Sequence, residues 1–235
     1  MSQRIQTIGF DADDTLWQNE TFYRLTQDRF AELLANYTDR DHLHERLLAA
    51  ERRNLGHYGF GIKGFMLSMI ETAIEVTEHQ VPASVIAEIL AAGQDMLAHP
   101  VNLLPQARDA VRRLAETHTL LLITKGDLLD QERKLAQSGL GDFFDAVEIV
   151  SNKTEATYRA AFGCFGGGPD HAMMIGNSLK SDVIPALKAG AWGIYVPHGL
   201  TWELEHAAPP EGHPRYRERA DLGEVVALVH EIDTA

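Results

Sequence analysis

The sequence predicts an α/β protein: a parallel β-sheet flanked by helices, interrupted after its first strand by an all-helical insertion. Three observations carry this. Residues 5 to 10 (IQTIGF) form an apolar run that ends at a cluster of acids, residues 17 to about 98 keep a helical period, and from Pro105 strand-like and helix-like segments alternate to the end.

Ile5, Ile8 and Phe10 read as a buried strand because the run lacks proline and charge, and it stops where Asp11, Asp13 and Asp14 arrive together. A parallel strand buried on both faces directs its carboxyl end at the crevice where open α/β sheets bind ligands. Carboxylates gathered there repel one another unless a cation or a proton lies between them, and a divalent metal satisfies that need. The competing reading is an Asp-rich turn that caps the helix after it, since Asp-Asp-Thr suits an N-cap.

The insertion follows. Phe22, Leu25, Phe30, Leu33, Leu34 and Tyr37 recur at spacings that make residues 19 to 37 an amphipathic helix. A second helical pattern covers about 41 to 55, and a break is expected at Gly56, Gly59, Gly61 and Gly64. A third helix carries Phe65, Met66, Met69, Ile70, Ala73 and Ile74, and Pro82 opens a fourth. A crossover within one sheet needs a single helix, so this block is expected to be a domain of its own, residues 17–99, with residues 1–16 and 100–235 forming the sheet domain.

Beyond Pro105 the expected elements are a helix over 106–116, a strand over 119–124 (TLLLIT), a helix ending at Gly139 and a strand near 146–150. Helix 154–162, strand 172–175, helix 181–188, strand 192–196 and a last helix near 222–231 complete the alternation, which implies a parallel sheet. Residues 207–215 (AAPPEGHPR) read as a surface loop.

Polar residues recur where these strands end. Thr124 and Gly126 offer a hydroxyl and backbone N–H groups of the kind that cradle a phosphate oxygen. Lys153 opens a helix and offers a point charge to a phosphoryl group, with Lys125 as its rival. Asn177, Ser178 and Asp182 follow AMMIG and offer oxygens to a hard cation such as Mg²⁺. Singly each has an ordinary explanation as a cap, a solvated side chain or a turn. In a parallel sheet, however, successive strand ends converge on one crevice.

Composition bounds the partners. The 235 residues are 45% hydrophobic and 8% aromatic, enough for a sizeable core, and the formal net charge is −13. That charge argues against a sequence-independent grip on nucleic-acid polymers or anionic membranes. Cys164 is the only cysteine, the N-terminal residues do not read as a signal peptide, and no apolar run reaches the roughly 20 residues of a membrane span. A soluble cytoplasmic protein with a small-molecule substrate is expected. Oligomeric state is not readable. His42, His44 and His198 show no metal spacing, and Trp17 and Trp202 read as packing residues.

The order DADDTL, a strand ending in Thr124, then Lys153, then GNSLKSD resembles the four motifs of the haloacid dehalogenase-like hydrolase superfamily over nearly the whole chain. The resemblance implies a Rossmann-like core with the helical insertion as a cap. It also implies that Asp11 is a nucleophile forming an aspartyl-phosphate and that Asp13 is the general acid/base. Thr124 and Lys153 would hold the phosphoryl oxygens, and Mg²⁺ would be bound by Asp11, the Asp13 carbonyl and the fourth motif. Asp13 would have to be protonated as the ester oxygen leaves.

This sequence departs from the pattern at Asn177, where an acid is usual, so metal affinity should fall unless Asp182 takes a larger share. At Thr154 proline is common, and no consequence is expected. The implied activity is hydrolysis of a small phosphate monoester, because a halide needs no proton to leave and Asp13 would then have no task. Phosphonate hydrolysis would need a cap lysine, for which Lys63 is the candidate, while a mutase would share the nucleophile and acid. Tyr58, Phe60 and Lys63 occupy the stretch where such caps present residues to the leaving group. A non-catalytic binder of a phosphorylated ligand is the remaining alternative, favoured by Asn177 and opposed by the Asp11 and Asp13 pair.

Overall fold

A computed structural model describes residues 4–165 and 167–234. Among the described residues six parallel strands form one sheet in the order β3-β2-β1-β4-β5-β6. The strands are β1 (Thr7–Phe10), β2 (Thr119–Lys125), β3 (Ala146–Val150), β4 (Ala172–Gly176), β5 (Trp192–Tyr195) and β6 (Tyr216–Glu218). Because β1 lies between β2 and β4, the strand order reverses beside it, and the carboxyl ends there define a crevice.

Period-two geometry explains the continuous apolar run of β2. Leu120 and Leu122 face α5 (Ala107–Ala115) and α9 (Leu222–Thr234), meeting Val111, Leu114, Val225 and Leu228. Leu121 and Ile123 face the other way, onto Tyr158 and Phe162 of α7 (Glu155–Gly163) and Ala186 of α8 (Ile184–Ala189). Both faces are covered, so neither set of positions tolerates a polar residue.

The sheet belongs to one compact unit, Met1–Glu20, Val101–Lys125 and Gln131–Ala235; a second comprises Thr21–Pro100 and Gly126–Asp130. The second unit is built on α1 (Glu20–Leu33), α2 (Arg40–Tyr58), α3 (Ile62–Val76) and α4 (Ala83–Ala98), around Phe30, Leu34, Leu47, Phe65, Met69 and Ile89. α2 starts at the Asp39 cap, whose carboxylate accepts from the His42 N–H at 2.9 Å.

Three local features differ from the sequence reading. The break after α2 is confined to Gly59–Gly61, since Gly56 lies inside α2 and Gly64 inside α3. Gly61 is required there: its φ is 117°, and an added Cβ would lie 2.7 Å from Asp127 Oδ2. The 179–183 segment winds as a π-helix ahead of α8, and β6 adds a short parallel strand on β5 at the end of the expected loop.

Candidate active site

The loops leaving β1 and β4 are stitched together. Asp11 N–H donates to the Ile175 carbonyl at 2.9 Å. The Thr15 hydroxyl accepts from the Asn177 N–H at 3.0 Å and donates to Asp11 Oδ2 at 3.0 Å. The three acids then part company. Asp14, in the left-handed region at φ 59°, turns its carboxylate onto the N–H groups of Asn19 and Glu20, both at 2.9 Å, and so caps α1. The capping reading therefore holds for Asp14.

Asp11, Lys153 and Asp182 form a buried cluster. Lys153 Nζ donates to Asp11 Oδ1 and, at 2.7 Å, to Asp182 Oδ1, and the Asp182 and Lys153 side chains are both 1% exposed. One ammonium thus serves two carboxylates. Burial, then the Asp182 charge, push Asp11 up to about 7 against the pull of Lys153. Burial pulls Lys153 down, but its two acidic partners outweigh it and raise it above its ordinary value. Gly176 makes room for this cluster, because an added Cβ would meet Asp182 Oδ2 at 2.3 Å. Thr154 caps α7 and forms a capping box with Thr157, which places Lys153 at the helix mouth without the usual proline.

Asn177 provides the test of a metal at this site. Its amide oxygen lies 3.2 Å from the Thr15 hydroxyl, and the Asp13 carbonyl and Asp11 Oδ2 are also 3.2 Å from the same atom. Oxygens facing oxygens need either a cation among them or the amide turned over, whereupon its N–H groups donate to all three. Ligands about 2.1 Å from an octahedral Mg²⁺ stand about 3 Å apart, so a carboxylate, a carbonyl and an amide oxygen at this spacing fit that ion. Asp182 is otherwise committed: Oδ1 holds Lys153 and Oδ2 accepts from the Ser178 N–H at 2.9 Å. No group of three or more His, Cys, Asp or Glu suited to a metal occurs among the described residues.

The Asp13 carboxylate has partners of its own. Oδ1 accepts from Trp17 Nε1 at 2.7 Å, Oδ2 accepts from Gln131 Nε2 at 2.8 Å, and Lys134 Nζ reaches the two oxygens at 2.9 and 3.1 Å. Gln131 and Lys134 stand one turn apart on α6 (Leu128–Ser138), which follows β2 closely. Neither is marked in the sequence, since a Gln and a Lys three apart on a helix are ordinary. Trp17 does pack in the core, as expected, and also donates.

Thr124 is buried at the end of β2, and Gly126 takes φ 143° just beyond it. Lys125 is engaged by a residue that sequence reasoning missed. Glu205 Oε1 accepts from Lys125 Nζ at 2.5 Å, and Oε2 accepts from the Ser178 and Ser181 hydroxyls. Burial pushes the Glu205 carboxyl up, but Lys125 and the two hydroxyls outweigh it and hold it below the usual range. Burial lowers Lys125 despite that partner. Glu205→Ala would take the carboxylate partner from an ammonium whose side chain is only 15% exposed. A loss of about 3 kcal/mol in urea unfolding is expected, with Glu205→Gln losing less.

In the second unit Tyr58 ends α2 with its hydroxyl 3.1 Å from Glu71 Oε1. Phe60 lies in the break. Lys63 sits in the first turn of α3, its N–H donating to Asp127 Oδ2 at 3.1 Å and its ammonium 3.6 Å from Asp127 Oδ1.

Comparison with known proteins agrees on the family. A model described as haloacid dehalogenase-like hydrolase matches residues 5–190. A crystal structure of a haloacid dehalogenase-like family hydrolase from Xanthomonas campestris is 43% identical with a TM-score of 0.88, covering 98% of this chain and 92% of that one. A glyceraldehyde 3-phosphate phosphatase from Pyrococcus furiosus is 25% identical over 212 residues, 86% of this chain and 85% of that protein. A 2-haloacid dehalogenase from Pseudomonas syringae, 19% identical with a TM-score of 0.63 and coverage of 97% and 99%, shares the fold.

Proposed function

Because the chain belongs to the haloacid dehalogenase-like hydrolase family, we propose that it is a Mg²⁺-dependent phosphatase acting on a small phosphate monoester. The observation that carries this over dehalogenation is Asp13, an acid two residues from Asp11 whose carboxylate is held by three side chains. Displacing a halide requires no proton, whereas an ester oxygen leaving phosphorus does. The similarity to a curated phosphatase along most of the chain supports the same reading.

In this reading a carboxylate oxygen of Asp11 attacks phosphorus, the bond to the ester oxygen breaks, and that oxygen takes the proton of Asp13. Asp13 then removes a proton from water, which attacks the aspartyl-phosphate, and phosphate leaves Asp11. Lys153, Thr124 and the backbone around Gly126 hold the phosphoryl oxygens, with Lys125 supplying further positive charge nearby. Asp11, the Asp13 carbonyl and Asn177 would hold Mg²⁺, which when bound would supply charge neutralisation. Asp182 acts by holding Lys153. The second unit serves as a cap, with Tyr58, Phe60 and Lys63 as candidates for contact with the leaving group. A Schiff-base lysine needs a desolvated pocket, whereas the Lys63 side chain is 54% exposed, which disfavours phosphonate hydrolysis. Among the described residues no helix is long and apolar enough to cross a membrane.

The test is phosphate release from p-nitrophenyl phosphate and a panel of small phosphomonoesters, with Mg²⁺ and with EDTA, alongside chloride release from 2-chloropropionate. Phosphate release that EDTA abolishes is expected, without chloride release. Chloride release without phosphate release would overturn the reading.

A further inference from the structure

We propose that Lys134 is a positioning residue for the acid/base carboxylate of Asp13, an assignment that rests on the phosphatase reading above. Lys134 is separated from Asp13 by 121 positions in the chain, yet its side chain is only 9% exposed and its ammonium spans both carboxylate oxygens. It also donates to Asn19 Oδ1 at 3.0 Å, which ties it to the loop that carries Asp13. Burying an ammonium on a helix surface is costly unless a specific anion receives it, so the position has a task beyond solubility.

The neighbouring contacts make Lys134 the charged member of a rigid holder. Trp17 Nε1 fixes one oxygen of Asp13. Gln131 Nε2 fixes the other and also donates to the Lys125 carbonyl at 3.3 Å, so its amide has one orientation, with Oε1 buried and unpartnered. These donors arrive from two elements and leave the carboxylate little rotational freedom. Proton transfer to an ester oxygen falls steeply with misplacement of the acid, and general acid catalysis contributes about 10² to 10⁴. Loosening the holder should therefore cost rate only where a proton is needed.

That condition gives the experiment. Values of kcat/KM are measured for wild type, Lys134→Met, Lys134→Gln, Asp13→Asn and the Lys134→Met/Asp13→Asn double variant, all with Mg²⁺. The two substrates are p-nitrophenyl phosphate, whose phenolate leaves almost unaided, and phenyl phosphate, whose phenolate needs the proton. Lys134→Met should lose about tenfold or more on phenyl phosphate and less than about threefold on p-nitrophenyl phosphate. Lys134→Gln, which keeps an N–H for Asp13, should recover part of the loss. In the Asp13→Asn background the Lys134 substitution should change either rate by less than about twofold, because its target is gone. Equal losses on both substrates, adding fully in the double variant, would mean a structural role only and overturn the assignment. Absence of turnover of either ester by wild type would instead overturn the phosphatase reading, and this assignment with it.

Discussion

Asp11→Asn should lose at least about a thousandfold in turnover of any phosphomonoester that the wild type accepts, and should gain stability in the metal-free state. The first part follows from the nucleophile's role: an amide oxygen at the same place forms no stable phosphoryl ester, and the remaining groups bind without bond-making. The second part follows from burial. Asp11 is 6% exposed and shares Lys153 with Asp182, so its negative charge is under-compensated in the folded chain. A neutral side chain of the same size relieves that repulsion, while Lys153 keeps Asp182 as its partner. Loss of activity together with a raised urea midpoint in EDTA is the expected signature of a residue kept for chemistry at a cost to stability. Retained turnover would remove Asp11 from the mechanism.

The same cluster fixes the sign of a pH effect. With the folded Asp11 at about 7 and its ordinary value at 3.8, the folded state holds the proton over that interval and the unfolded chain releases it. The contribution of this one group to stability is therefore full below about pH 4, declines as pH rises towards 7, and is level above. Taken as the difference between wild type and Asp11→Asn in EDTA, this decline should appear in the wild type alone.

Asp11, Thr124 and Lys153 were legible in the sequence because each follows an apolar strand run, and parallel topology then brings the strand ends together. The helical insertion was legible for a similar reason, since amphipathic periodicity is a local signal. Glu205, Gln131 and Lys134 were not, because they meet Lys125 or Asp13 across 80, 118 and 121 positions and no local spacing encodes such a pairing. β6 escaped because three residues at the sheet edge after a proline-rich stretch carry no alternation. The consequence of Asn177 was only half legible. The residue type shows a missing charge, whereas the contacts add that Asp182 is taken up by Lys153 and Ser178.

Lys153→Met should be the most destabilising single change at this site, costing about 4 kcal/mol near neutral pH, and should also abolish turnover. Removing one partner from a buried pair leaves an uncompensated charge, for which 3–5 kcal/mol is typical, and total stability is only about 5–15 kcal/mol. Here the removal leaves Asp182 as the uncompensated charge, while Asp11, pushed up to about 7 even beside the ammonium, takes up a proton, and a methionine of similar length fills the space without replacing the positive charge. The loss should shrink in acid, where the carboxyl groups protonate, and in Mg²⁺, which would bring charge back to Asp11. Adding Asp182→Asn should restore part of the stability and none of the activity, because the acceptor that needs Lys153 is gone while the phosphoryl group still lacks its cation. Urea unfolding at two pH values, with and without Mg²⁺, reads all of these. A Lys153→Met protein as stable as wild type at pH 7 would mean that the two carboxylates are compensated by another group, and the ammonium would lose its place at the centre of the site.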